Sequence, residues 1–171
     1  AIENIVDFLI KKNHRNISYL NISEKYNFAN ERKSSFLKTL KKNKINFNKN
    51  YYASIKLEEN EKSFDIIKKL LVNNKKITSI ICSTEFSALS AIKVCNHLDL
   101  KIGKDISIIT FDGPLVRDLS TPPLTAASFP VKELGKRAIS ILLNKDRNSI
   151  KFTNYLAKSK IIDRGSVHII K

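Results

Sequence analysis

Two stretches of this chain, ITSIICS (77–83) and ISIITF (106–111), limit its fold more than any others. Each sets β-branched apolar residues side by side, without the polar alternation of a strand that faces water. Strands of this kind need cover on both faces. Between them FSALSAIKVCNHL (86–98) places Leu89, Ile92 and Cys95 on one side at helical spacing. Apolar strands separated by amphipathic helices predict an α/β protein. Its parallel, Rossmann-like sheet is flanked by helices on both faces.

The remaining segments continue the alternation. Helices are predicted over 1–12, 30–43, 63–71 and 131–143, and strands over 16–20, 51–55, 152–158 and 161–167. In an open parallel sheet the ligand crevice lies beyond the carboxyl ends of the strands. Three residues stand there. Asp112 follows ISIITF, where its carboxylate could accept paired hydrogen bonds or close an Asp-Gly turn. Arg32, early in a helix, could fork onto a polar ligand or lie solvated. Thr84, after ITSIICS, is placed to cap the next helix, a role compatible with facing a ligand.

Composition removes several classes. At 171 residues, with 42% hydrophobic and 27% charged, the chain is sized for one globular domain. No apolar run approaches membrane-spanning length. The start, AIENIVDFLIKKNHR, lacks a basic leader, and Glu3 and Asp7 interrupt it. A cytoplasmic protein without a membrane partner is expected. There is no Met, so the chain is expected to begin inside a longer protein. The formal charge is +15, but lysines are dispersed, which favours diffuse basicity over a nucleic-acid patch. Cys82 and Cys95 have no metal spacing and read as buried thiols. His14, His97 and His168 stand apart, and four glycines could hardly build a phosphate loop. No metal, cofactor or enzyme activity is expected.

All four prolines, Pro114, Pro122, Pro123 and Pro130, fall in one window. Prolines fix φ and hold an irregular connector extended. This window, with KDISIITFDG, TPPLT, SIICSTEFSALSAIKVCNHLDL and IIDRGSV, resembles the lactose-repressor (LacI) family of transcriptional regulators. The likeness covers nearly the whole chain. It points to the C-terminal part of the effector-binding region, whose fold is shared with periplasmic sugar-binding proteins.

That resemblance implies a two-lobed layout. Residues 12–126 and 158–168 would form most of one lobe. Residues 1–11 and 128–157 would belong to the other, leaving Ile2, Val6 and Ile10 short of packing partners. The first half of the second lobe and a helix-turn-helix DNA-binding domain would lie outside this chain. The PPLT crossover and the helix over 85–98 would contribute to a homodimer.

The resemblance also assigns ligand-binding roles to Arg32, Thr84, Asp112 and Phe129, the last standing where the family often has glutamine. A stacking aromatic expected about six residues before Phe64 is replaced by Leu57 and Glu58, so Glu58 joins the candidates. Asp99 stands where a glycine helix stop is usual, which demands or avoids a left-handed residue. The implied effector is a small polar, sugar-like molecule gripped by Arg32 and Asp112 in an interlobe cleft and coupled to operator DNA. The alternative implied by the shared fold is a sugar-binding receptor of an ABC transporter.

Overall fold

The computed structural model describes residues 1–118, 120–143 and 156–171. Its centre is a six-stranded sheet in the order β2-β1-β3-β4-β5-β6. The strands are β1 (Ile17–Ile22), β2 (Tyr52–Ile55), β3 (Ser79–Cys82), β4 (Ser107–Phe111), β5 (Thr125–Ser128) and β6 (Lys160–Ile162). β1 to β5 run parallel; β6 pairs antiparallel with β5 through Ala126–Ile162 and Ser128–Lys160. The α-helices among the described residues are α1 (Ile2–Lys11), α2 (Asn27–Lys42), α3 (Ser63–Asn73), α4 (Glu85–His97), α5 (Pro114–Asp118) and α6 (Val131–Leu143).

The apolar runs explain the layering. Along β3 and β4, successive side chains enter opposite layers, as strand geometry requires. Ile80, Cys82 and Ile108 pack with α3 and α4. Ile81, Ile109 and Phe111 pack with α1 and α2. All residues of both strands are buried.

Four sequence expectations change. First, α1 packs on the sheet, with Ile2, Ile5, Val6 and Leu9 buried against Tyr19, Phe36 and Ile109. Residues 1–11 thus belong with the sheet rather than a second lobe, and Ile10 also packs against this cluster. Second, the proline window contains a strand, β5, with Ala126 and Ala127 wholly buried. Its residues are too small to carry the β-branched signature, yet small size suits an inner position. Third, the terminal strand over 161–167 is only Lys160–Ile162 and antiparallel, so the sheet is mixed. Fourth, of the strand expected over 152–158, residues 152–155 lie outside the described residues and 156–158 form no strand.

Three of the prolines flank regular structure, Pro122 and Pro123 before β5 and Pro130 before α6, while Pro114 opens α5. The Thr121–Pro122 bond is cis. Asp99 adopts the left-handed conformation, φ +53°, closing α4 while Leu100 N donates to Cys95 O. Asn13 and Lys44 close α1 and α2 with the same backbone handedness. α6 differs from the rest: none of its residues is buried, and Val131, Ile139, Leu142 and Leu143 are uncovered among the described residues.

Candidate functional site

β1 and β3 are neighbours in the sheet, but the connections leaving them run in opposite directions, to β2 and to β4. Such a reversal opens a crevice at the carboxyl ends of the two strands. Arg32, on the second turn of α2, reaches into this opening. Its guanidinium Cζ stands 3.9 Å from the Phe111 ring centroid and 5.4 Å from that of Phe28. Nη1 donates to Ser83 O, just after β3, at 3.4 Å. Burial lowers the Arg32 pKa from its ordinary value, with a smaller opposing effect from Tyr19.

A closed hydrogen-bond network forms the floor. Tyr19 OH donates to Asn21 Oδ1 at 2.9 Å, and Ser83 Oγ donates to Tyr19 OH at 3.0 Å. Asn21 Nδ2 donates to Ala29 O at 3.0 Å and to Tyr52 OH at 3.1 Å. Tyr52 OH donates to Glu24 Oε1 at 2.6 Å, and Lys33 Nζ pairs with the same carboxylate at 3.1 Å. The Tyr52 hydrogen bond is the main cause holding Glu24 below the usual carboxylate range. Burial raises Tyr19 to about 12, keeping the phenol neutral. Such a network fixes the tips of β1 and β3 and the start of α2 relative to one another.

Asp112 extends the same edge by one residue past Phe111. It does not arrive free: Arg164 Nη2 donates to Asp112 Oδ1 at 2.8 Å, and both side chains are largely buried. Arg164 Nη1 also holds Leu124 O at 2.7 Å. The sequence reading missed Arg164, which lies 52 residues from its partner in a segment read as plain strand.

The other candidates divide. Thr84 Oγ1 accepts from Ser87 N at 3.1 Å while the Ser87 hydroxyl lies 3.2 Å from Thr84 N, a reciprocal cap on α4. Its hydroxyl is engaged by the helix. Phe129 lies parallel to Phe111, with centroids 6.3 Å apart and 7° between planes. It lines a groove of about 550 Å3 with Pro130, Leu156 and Lys160. Glu58 is exposed at the outer rim, where it accepts from Tyr26 OH at 3.1 Å. Tyr26 in turn stacks on Phe28 at 5.7 Å. The rim aromatics therefore come from the cap and first turn of α2, and their signal was legible: KYNF sets two aromatics where the chain enters that helix after a buried strand. Gly113 is constrained by the Glu85 carboxylate, which occupies the space a Cβ would need. Glu85 Oε1 accepts from Leu115 N at 2.8 Å, capping α5.

The amino ends of the strands hold a second polar cluster. His14, wholly buried, faces Thr78 Oγ1 through Nδ1 at 2.9 Å and His168 O through Nε2 at 3.0 Å. Ser107 Oγ lies 2.9 Å from His168 Nδ1 and 3.1 Å from His14 Nε2. Burial lowers His14 to about 4 and lowers His168 as well. Among the described residues no cluster of three or more metal-ligating side chains occurs, and no helix is long and apolar enough to cross a membrane.

A mostly parallel sheet covered by helices, with a polar and aromatic edge at its switch point, places the chain in the α/β class. The family comparison makes this specific. Residues 6–167 match the periplasmic binding protein-like domain, and the chain belongs to that family. Its curated relatives include the HTH-type transcriptional repressor PurR of Pectobacterium atrosepticum, 28% identical over 138 residues, 81% of this chain and 40% of the relative. PurR of Proteus mirabilis is 26% identical over 161 residues, 94% of this chain and 47% of the relative. The chain thus spans less than half the length of these relatives. Among solved structures, a LacI-family sugar-binding transcriptional regulator from Escherichia coli, complexed with phosphate, superposes with a TM-score of 0.83 at 22% identity. That match covers 99% of this chain and 60% of the other. A LacI-family regulatory protein from Chloroflexus aggregans gives 0.86 at 24% identity, covering 97% and 60%. The resemblance to LacI-family regulators read from KDISIITFDG and TPPLT holds in fold and in relatives.

Proposed function

We propose that this chain is the effector-binding part of a LacI-type transcriptional regulator, sensing a small polar metabolite at the carboxyl edge of its sheet. The observation that carries the reading is the Arg32 guanidinium held 3.9 Å from the Phe111 ring, one residue from Asp112, at the switch point between β1 and β3. Arg32 supplies forked donors, Asp112 Oδ2 supplies an acceptor, and Phe129 and Phe28 supply apolar faces for a ring. Thr84 contributes by fixing the amino end of α4 rather than through its own hydroxyl. Glu58 and Tyr26 bound the rim.

The uncovered face of α6 supports a two-lobed reading, in which residues 128–157 belong to a second lobe and the remainder to the lobe seen here. A ligand contacting both lobes favours one arrangement of them by the difference in its affinity for each. In a homodimer paired through α4, where Phe86 is 58% exposed, that preference would reset the spacing of DNA-binding heads carried elsewhere in the protein.

The test is a thermal-shift panel of sugars, sugar derivatives and nucleobases on the purified protein, followed by operator binding with the best ligand. A ligand at one hundred times its Kd stabilises the native state by about 2.7 kcal/mol. The expected result is a raised melting temperature with a sugar-sized ligand that also changes DNA affinity. A panel without any shift, or a bound ligand with no effect on DNA binding, refutes the reading.

A further inference from the structure

Independently of the effector site, we infer that the amino edge of the sheet is a second binding surface, fitted to the phosphate backbone of duplex nucleic acid without sequence preference. Lysines are dispersed along the sequence, but the fold gathers a set of them. The connections entering β2, β3 and β4 each carry two exposed lysines: Lys44 and Lys49, Lys75 and Lys76, Lys101 and Lys104. The turns lie side by side, with Thr78 N donating to Asn16 O and Ser107 N to Thr78 O, both at 3.0 Å. Neighbouring strands are about 4.8 Å apart, so the four entries from β2 to β4 span ~15 Å, while a duplex presents one charge per about 1.7 Å of axis. Exposed Arg15 and Lys171 border the set.

The acids do not offset this charge. Those at the amino edge are Asp7, Asp99, Asp105 and Asp163, and Asp163 is already paired with Lys12 at 2.8 Å. Glu24, Glu58, Glu59, Glu61, Glu85 and Asp112 stand at the opposite edge. Among the described residues none of the six lysines is ion-paired. Lysines in the last turn of a helix would only complement its dipole, an effect that fades beyond that turn. α3 has no basic residue in its last turn and α4 has only His97, so the pairs at 75–76 and 101–104 lie past that role. The surroundings select the partner. A protein interface has an apolar core depleted of lysine. Here the lysines are interspersed with Asn46, Asn48, Asn73 and Asn74, whose side chains suit phosphate oxygens. A bilayer needs apolar groups free to insert. Phe47 is packed against Phe36 and Tyr52, with centroids 6.4 and 6.1 Å apart, and Val72 and Ile169 are too few to anchor one.

The test is fluorescence anisotropy of a labelled duplex of arbitrary sequence titrated with the 171-residue chain, with phosphatidylserine vesicles as the competing surface. The duplex is expected to bind, and its affinity to fall at least about a hundredfold between about 50 and about 200 mM salt, as when about four or more phosphates are neutralised. Changing the sequence should leave affinity unaltered. Lys75→Gln, Lys76→Gln, Lys101→Gln and Lys104→Gln combined should weaken binding at least about tenfold and flatten the salt dependence. Lys38→Gln, Lys93→Gln, Lys132→Gln and Lys136→Gln combined remove the same net charge from exposed positions elsewhere, and should change affinity by less than about threefold. Equal losses in the two variants would show that binding follows net charge alone, and would overturn the inference. So would a duplex that does not bind at the lower salt, or vesicles that bind more tightly than the duplex. None of these outcomes bears on the effector site, which its own ligand panel tests.

Discussion

The two ends of one sheet are built from similar parts to different standards of completeness. At the amino end, buried His14 and Ser107 and half-buried Thr78 and His168 form a set in which each polar atom meets another within 3.1 Å. At the carboxyl end, the Arg32 guanidinium and the exposed Phe28 ring stand over an equally well-bonded floor, but the guanidinium makes a single long hydrogen bond to the protein among the described residues. Saturated polar groups stabilise a fold and specify its register; the unsaturated layer is what a ligand can complete. The contrast separates residues whose loss costs stability from residues whose loss costs binding.

Breaking the saturated end should give the largest effect. His14→Leu removes the His14 hydrogen bonds of Thr78 Oγ1 and the His168 carbonyl and leaves Ser107 held by His168 alone, and should destabilise the fold by about 2–4 kcal/mol in urea unfolding. Its ligand affinity, measured on the folded fraction, should stay unchanged.

The same end should respond to acid. His14 titrates near 4 in the folded chain, below its ordinary 6.5, because burial disfavours the cation. As pH falls, the unfolded chain takes up this proton first. The stabilisation is therefore complete above 6.5 and is lost between 6.5 and 4, by about 3 kcal/mol at most. His168 shifts in the same direction; Asp105 opposes that shift and Lys12 reinforces it. Urea midpoints should fall across this window in the parent chain and flatten in His14→Leu.

Between the extremes lies the Asp112–Arg164 pair. Arg164→Met should cost about 1–3 kcal/mol, since it strands a largely buried carboxylate and the Leu124 carbonyl. The same change frees Asp112 Oδ1, so it should also alter ligand preference towards neutral or cationic compounds. For the same reason Asp112→Ala is a poor pure test of binding, because it leaves Arg164 buried and unpaired.

The smallest stability effect is expected at Arg32. Arg32→Gln gives up cation–π contacts with Phe111 and Phe28, an effect of about 1 kcal/mol or less, partly offset by relief of charge desolvation. A melting temperature close to the parent, with weakened ligand binding, would sharpen the division between the two ends.

The legible and illegible parts of this structure differ physically. β3 and β4 announced themselves because a strand buried on both faces must be continuously apolar. α4 did so through its spacing, and Thr84 through the cap it makes. β5 was silent, since TAAS fills its inner position with small side chains whose burial comes from their neighbours. α1 was legible as a helix but misplaced, because an apolar stripe does not say which sheet it covers. The edge positions of Arg32 and Asp112 followed from strand ends alone. Arg164 and the His14–His168 cluster depend on partners 52 and 154 residues away, and no local pattern reports such pairings.

Amide chemical-shift mapping with the tightest compound of the ligand panel tests the division of the sheet most directly. Perturbations should concentrate at residues 26–32, 83–85, 111–113 and 128–129, and leave 14, 78, 107 and 168 in place. Shifts centred on the amino-end cluster, or on the outer face of α4, would contradict a binding edge at the carboxyl tips of β1, β3 and β4.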